Sequence, residues 1–530
     1  MKTTSYLATI LLATVLACGS NPGQNDTNEP QDVTNSDSLA DSTADAVDGI
    51  DPDEGRDLAV DQESETVEDT GGELTVPDTV DEDGHDTNDI VEIVEPVPVP
   101  PHALCDMPAY ELLPPGSLGD LVEFEPIPLL TLDADTINGL LDGFGFDAMS
   151  PVPYGATTYR YRYTTQDRGQ QVEATGLMAF PANKDPFTDP LPILLYQHGT
   201  SGFSDPCAPS ADENHFEMGA LGPAFSSLGF VVIAPDYIGL NGFGDPATVR
   251  HGYLVGEQTA IGAWDAVRGG LKLLESIEGH PPVSNKVIIW GQSQGGHASL
   301  FTELWGPWYA PEFKVPGVVA QIPPTDLLPM MQNAMQEIDD PTGLLAVSVV
   351  TMQLWYGETA DLETVFTNED PYFVAEVAPT LLFPEDKCGI SIGVDIDDVT
   401  LETVFQPGFL QAAQTGDWDA IGPWKCYYLE NSLAFTSVPV SRHTPTMMIY
   451  GENDTLLITD TQKDDFDRLC QAGYRLHHIE CAGAGHTQAA LWSLPEQFDW
   501  IRDRLDGKPT DAADECVYHE PVRCSATPEE

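Results

Sequence analysis

The chain has 530 residues, room for one large domain or two to three ordinary ones, and sets 86 Asp and Glu against 21 Lys and Arg for a formal charge of -65. So acidic a body repels phosphate backbones and anionic headgroups, which excludes nucleic acid as a partner and leaves a lipid anchor as the only route to a membrane.

In chain order, MKTTSYLATILLATVLAC places Lys2 ahead of an apolar run too short to span a bilayer, the pattern of an export signal. Its end, VLAC, resembles a bacterial lipobox in which Cys18 becomes the lipidated first residue. Residues 1–18 are therefore expected to be a lipoprotein-type signal peptide, with ordinary secretory cleavage as the alternative. Residues 19–101 are rich in Asp, Glu, Ser and Thr, and Arg56 is their only Lys or Arg. Such a stretch buries too little apolar surface to offset chain entropy, so a disordered acidic tether is expected, with a reach of about 50 Å or more. It ends in VEPVPVPP, a stiffer polyproline spacer.

The cysteines beyond Cys18 form an even set, and disulfides are the default outside the cytosol. Short separations suggest Cys516 with Cys524, Cys470 with Cys481, and Cys388 with Cys426, leaving Cys105 with Cys207. The sequence has no CxxC or HExxH pair, so no metal site is expected.

Residues 102–510 alternate apolar runs with helical segments. GLMAFPA (176–182), PILLYQHG (192–199), GFVVIAPDY (229–237), KVIIWGQ (286–292), GVVAQIP (317–323), TMMIYGEND (446–454) and YRLHHIECAG (474–483) read as strands. Several are apolar nearly throughout, as in a sheet covered on both faces, and amphipathic pieces such as 257–277 lie between them. The expected fold is α/β: a mostly parallel sheet flanked by helices, with residues 511–530 as a tail carrying a cysteine pair.

Within VIIWGQSQGGHASLF (287–301), Ser293 stands where a buried strand turns abruptly into a helix, with Gly291 and Gly295 two residues to either side. The turn lifts a serine into the cleft at the sheet's carboxyl edge, and the glycines let strand and helix backbones approach. It also aims the N–H of Gln294, at the start of the helix, toward a developing oxyanion. A serine hydroxyl needs a histidine base and an acid to orient it. Asp454 follows the strand in TMMIYGEND, and His486 lies in the loop after the last strand. Serine, acid, histidine is the chain order of an α/β-hydrolase. Glu452 and Asp460 are rival acids, while His477 and His478 fall inside a strand and read as structural. In α/β-hydrolases an HG turn directly after a strand usually supplies the second oxyanion donor, which in LLYQHGTSG implies the amide of Thr200, with His198 as scaffold.

YQHGTSGFSDPCAPS (196–210), VVIAPDYIGL (231–240) and GQSQGGHASL (291–300) together resemble the bacterial relatives of the secretory lipase family, α/β-hydrolases related to fungal lipase A-type enzymes. The likeness spans residues 159–500 and departs from the pattern in NGFGDPATVRHGYLVG (241–256), where a tighter glycine turn is expected. It implies carboxylic-ester hydrolysis of a small-molecule ester or lipid, with Ser293, Asp454 and His486 in the triad positions and no cofactor.

Residues 325–440, roughly a hundred, are far more than an ordinary connection needs, and read as a helical cap between the nucleophile half and the acid/histidine half. Leu327, Met331, Ala334 and Ile338 fall at helical spacing there, either as cap core or as the lining of an acyl-chain tunnel. A peptidase or acyltransferase using the same triad, and an inert surface binding module on the same fold, are the alternatives to an exported lipase or esterase.

Overall fold

The computed structural model describes residues 103–143, 151–183, 187–211, 216–337, 340–357, 360–367, 388, 400–440, 443–457 and 459–528. The export signal with Cys18, the acidic tether and Ile338 lie outside the described residues. Among the described residues nine strands form one sheet: β1 (Leu121–Pro126), β2 (Gly155–Asp167), β3 (Gln170–Ala182), β4 (Leu191–Gln197), β5 (Val231–Pro235), β6 (Val283–Gln292), β7 (Lys314–Gln321), β8 (Pro445–Gly451) and β9 (Arg475–Cys481). The spatial order is β1-β2-β3-β5-β4-β6-β7-β8-β9. From β5 to β9 every neighbouring pair is parallel, while β1, β2 and β3 meander antiparallel at one side and β3 pairs antiparallel with β5.

The sheet is mostly parallel, as expected, and every run read as a strand is one. Strands β1 and β2 are additions that the apolar-run criterion does not find. β2 alternates Tyr159, Tyr161 and Tyr163 with Arg160 and Arg162. Its arginines face Glu123, Glu125 and Glu173, and its buried tyrosines donate to the Ala266 and Gly262 carbonyls at 2.8 and 3.0 Å.

The central parallel strands β4 and β5 are apolar almost throughout because both faces are covered. Ile193 and Leu195 of β4 join one core with Trp264 and Leu304, which come from the helices Gly256–Glu275 and Gln294–Tyr309. Leu194 and Tyr196 point the other way, into a core with Phe225, Trp290, Phe498 and Ile501, as the two-residue period of a strand requires. Between β7 and β8 lies a helical segment with its own core, in which Leu327, Met331, Val349, Phe405 and Tyr427 are buried together. It includes the helices Leu327–Ala334, Asp340–Tyr356, Pro407–Thr415 and Pro423–Glu430. No helix among the described residues is long and apolar enough to cross a membrane.

The disulfides are Cys105–Cys426, Cys207–Cys388, Cys470–Cys516 and Cys481–Cys524, which corrects all four expected pairings. The physical reason is plainest at β9. Cys470 precedes this strand and Cys481 ends it, and an extended run of seven residues spans about 23 Å, far beyond the roughly 7 Å limit for bridged Cα atoms. The tail instead runs alongside the strand and bonds to each end: the Cys516 N–H donates to the Leu476 carbonyl and the Val522 N–H to that of Glu480, both at 2.8 Å. His477 and His478 serve this junction. His477 Nδ1 pairs with Asp514 at 3.0 Å, and the His478 ring lies against Tyr518.

Candidate active site

β6 ends at Gln292 and the next helix begins at Gln294, so the chain reverses at Ser293 alone. This costs strain: Ser293 has φ 56° and ψ -118°, a conformation L-residues rarely adopt. The Ser293 N–H donates to the Gln321 carbonyl of β7 at 2.9 Å, and its carbonyl accepts from the His297 N–H at 3.1 Å. The flanking glycines are required by contact. A Cβ on Gly291 would lie 2.3 Å from the Gly295 carbonyl oxygen, and one on Gly295 would lie 1.9 Å from that of Gln197, at the end of β4.

β8 and β9 bring the other two groups to the same edge. Asp454 follows β8, and its side chain is fully buried. Its Oδ1 accepts from the N–H groups of Leu456 and Leu457, both at 2.9 Å, so Oδ2 is turned toward His486. His486 opens the helix His486–Trp492 after β9. Its Nδ1 lies 2.8 Å from Asp454 Oδ2, and its Nε2 lies 3.0 Å from Ser293 Oγ. Residues 193 positions apart thus form one line of hydrogen bonds. The rival acids stand elsewhere: exposed Glu452 accepts from the Gly483 N–H at 2.7 Å, and Asp460 lies in the helix Thr459–Gln471.

Gln294 is the first residue of its helix, so its N–H belongs to the first-turn donors with no intrahelical acceptor. Thr200 follows the His198–Gly199 turn, and its hydroxyl pairs with that of Tyr253 at 3.0 Å. His198 is a buried scaffold residue, as expected. Its Nδ1 lies 2.6 Å from the Gly199 carbonyl, its ring packs 4.3 Å from that of Tyr237, and the Tyr237 hydroxyl donates to its carbonyl at 2.8 Å. Asp236, beside Tyr237, accepts from the Ser210 N–H at 2.9 Å and the Thr175 hydroxyl at 2.6 Å. The CAPS, PDY and HG segments are therefore one hydrogen-bonded frame around the serine turn.

Sequence reasoning does not single out His251 and Tyr253, which come from the segment that departs from the expected glycine turn. His251 Nδ1 faces the Ile238 carbonyl at 3.2 Å and Nε2 faces the side-chain amide of Gln294 at 2.8 Å. Burial pushes its pKa down to about 3, so the ring is neutral: Nδ1–H donates to Ile238 and Nε2 accepts from Gln294. Burial pushes the Tyr253 hydroxyl up to about 12. The signal for both was local, an HGY triplet just ahead of the helix that packs on the helix Gln294–Tyr309.

A cleft of about 570 Å³ opens at Ser293 and Gln294. Leu327, Met331 and Ala334 line it and are also buried in the core of the helical segment between β7 and β8. Among the described residues no cluster of three or more His, Cys, Asp or Glu side chains is arranged to hold a metal ion.

The sheet order, with the strained serine turn and the acid and histidine loops at one edge, is that of an α/β-hydrolase. The same fold occurs in the rice cell wall degrading esterase of Xanthomonas oryzae (TM-score 0.58, 19% identity, 74% of this chain and 99% of that one). It occurs too in Candida antarctica lipase A in its closed state (TM-score 0.55, 14% identity, 82% and 91%). The chain is related to the secretory lipases: residues 214–372 match the Secretory lipase family. It is 24% identical over 368 residues to a secreted triacylglycerol lipase of Malassezia globosa, covering 66% of this chain and 72% of that protein. It is 27% identical over 344 residues to lipase 5 of Candida albicans, covering 61% and 67%. Fold and relatives together define a hydrolase of the lipase and esterase class.

Proposed function

We propose that the protein is an exported serine hydrolase that cleaves carboxylic esters through an acyl-enzyme. The observation that carries this reading is the unbroken line Asp454 Oδ2, His486 Nδ1, His486 Nε2, Ser293 Oγ, with links of 2.8 and 3.0 Å. Ser293 Oγ attacks the ester carbonyl carbon as its proton passes to His486 Nε2. Asp454 holds the tautomer in which Nδ1 carries a proton and stabilises the imidazolium that forms. The N–H groups of Gln294 and Thr200 bind the oxyanion. The tetrahedral intermediate expels the alcohol, which takes the proton from His486. Water, deprotonated by His486, then attacks the acyl-enzyme, releasing the acid and restoring Ser293.

The lipase and esterase relatives support ester chemistry over peptide cleavage, and the apolar cleft at Ser293 suits an acyl chain. Residues 1–18 are read as the export signal, Cys18 as the lipid-bearing residue, and residues 19–101 as the tether that holds the acidic body clear of the envelope. A fluorophosphonate probe tests the assignment: it should label the wild-type protein on Ser293 and fail to label Ser293→Ala. Labelling that survives this substitution would overturn the nucleophile.

A further inference from the structure

The cleft wall at Ser293 is mostly hydrocarbon, from residues such as Leu254, Pro324, Met330, Leu344, Leu345 and Leu457, and beyond Ser293, Gln294 and Tyr253 its polar side chains are one pair. Ser348, on the cap helix Asp340–Tyr356, and Tyr428, on the helix Pro423–Glu430, both line it, and their hydroxyls meet at 2.7 Å. Their exposures are only 2% and 1%. Each hydroxyl has a single proton. Ser348 Oγ also lies 2.8 Å from the Leu345 carbonyl, and both contacts are hydrogen bonds at once when Ser348 donates to Leu345 and Tyr428 donates to Ser348. Burial, the largest influence on Tyr428, pushes its pKa upward, so the phenol keeps the proton it donates. Both protons are then committed inside the protein, while each oxygen retains a lone pair beside the cleft.

We infer that the cleft is built for acyl chains that carry a hydroxyl group, with Ser348 and Tyr428 as the specificity-determining pair that accepts its proton. This rests on the ester-hydrolase reading and names the substrate class of that site. The chain in question is the acyl one, because it is the part that Ser293 holds covalently in the acyl-enzyme, between the two chemical steps. A plain hydrocarbon chain leaves the spare lone pairs of the two buried oxygens without a donor, whereas a hydroxylated chain supplies one. The protons point away from the cleft, so a ketone or ether oxygen gains nothing there. That makes the preference one of donor chemistry rather than of general polarity.

The experiment compares nitrophenyl esters of one acyl length, plain or with a hydroxyl stepped outward past the positions that close to lactones, on the full chain. At the position that reaches the pair, kcat/KM for the hydroxy ester should exceed that for the plain ester by about tenfold. A keto ester of the same length should show no such gain. In Ser348→Ala/Tyr428→Phe the preference should vanish while the plain ester is still turned over. Equal kcat/KM for plain and hydroxy esters across the wild-type series would overturn the inference, as would a preference that survives the double substitution; the pair would then be only a tie between two cap helices. Absence of turnover of every ester would instead strike the ester-hydrolase reading itself.

Discussion

Replacing Gly295 by Ala tests the turn that presents Ser293 without touching any group assigned a chemical role. The new Cβ would lie 1.9 Å from the Gln197 carbonyl oxygen, 2.6 Å from its carbon and 2.7 Å from the His198 carbonyl oxygen, all of them backbone atoms. Real Cβ atoms essentially never come within 3.0 Å, so the start of the helix Gln294–Tyr309 must move off the end of β4 by about 1 Å, and shifts of that size cost about a hundredfold in rate. The shift parts the two proposed oxyanion donors, because Gln294 moves with the helix and Thr200 stays with the β4 turn. The expected result is a fall in kcat/KM of about a hundredfold on a soluble nitrophenyl ester, with about 1–3 kcal/mol lost in urea unfolding from overpacking. Gly408→Ala is the control, since nothing lies within 4 Å of its Cβ; it should leave kcat/KM unchanged and, as a Gly-to-Ala change within the helix Pro407–Thr415, raise stability by about 1 kcal/mol or less. A folded Gly295→Ala protein as active as the wild type would refute the close-approach argument.

Asp454→Asn should lower kcat by about ten-thousandfold with little change in unfolding midpoint. The Leu456 and Leu457 N–H groups hold the Oδ1 position as an acceptor, so the new NH₂ faces His486 Nδ1 and forces the proton onto Nε2, where it blocks proton transfer from Ser293. Pre-steady-state ester kinetics with denaturant unfolding check it, and a small loss would show that the carboxylate orients nothing. His297 is buried, with Nε2–H donating to the Asn431 carbonyl at 2.9 Å, and burial pushes its pKa down to about 4 from the usual 6.5 despite that bond. A histidine depressed in the folded state contributes its full stability above 6.5 and loses it as pH falls toward 4. Relative to His297→Gln, the wild type should therefore lose about 2 kcal/mol between about pH 7 and about pH 5. Urea unfolding of both proteins at each pH measures this, and a gap that stays constant would contradict it.

What could be read from the sequence was whatever a short window encodes. Ser293 between its glycines, Asp454 after one strand and His486 after another each carry a local signature, and their chain order supplies the rest. β4, β6 and β8 were legible because burial on both faces leaves them no choice but apolar residues. β2 was not, because its tyrosines and arginines serve opposite faces of an antiparallel pair, and only the positions of Glu123 and Glu173 explain the arginines. The disulfides were illegible for a related reason. Nearness along the chain says nothing when an intervening strand such as β9 holds Cys470 and Cys481 apart. His251 and Tyr253 escaped because their HGY triplet, though visible, says nothing of what they touch, Gln294 and Thr200.

The tail laid along β9 has a further consequence. An outermost strand with bare N–H and C=O groups invites foreign chains to add on, the first step toward fibres and clumps. Here that flank is occupied by residues 516–524 of the same chain, riveted at both ends by Cys470–Cys516 and Cys481–Cys524. Solubility on this side of the molecule is thereby tied to oxidation: thiol-rich surroundings would free the flap and bare a sticky margin, so the compartment that locks the rivets is also the one in which the sheet can safely exist.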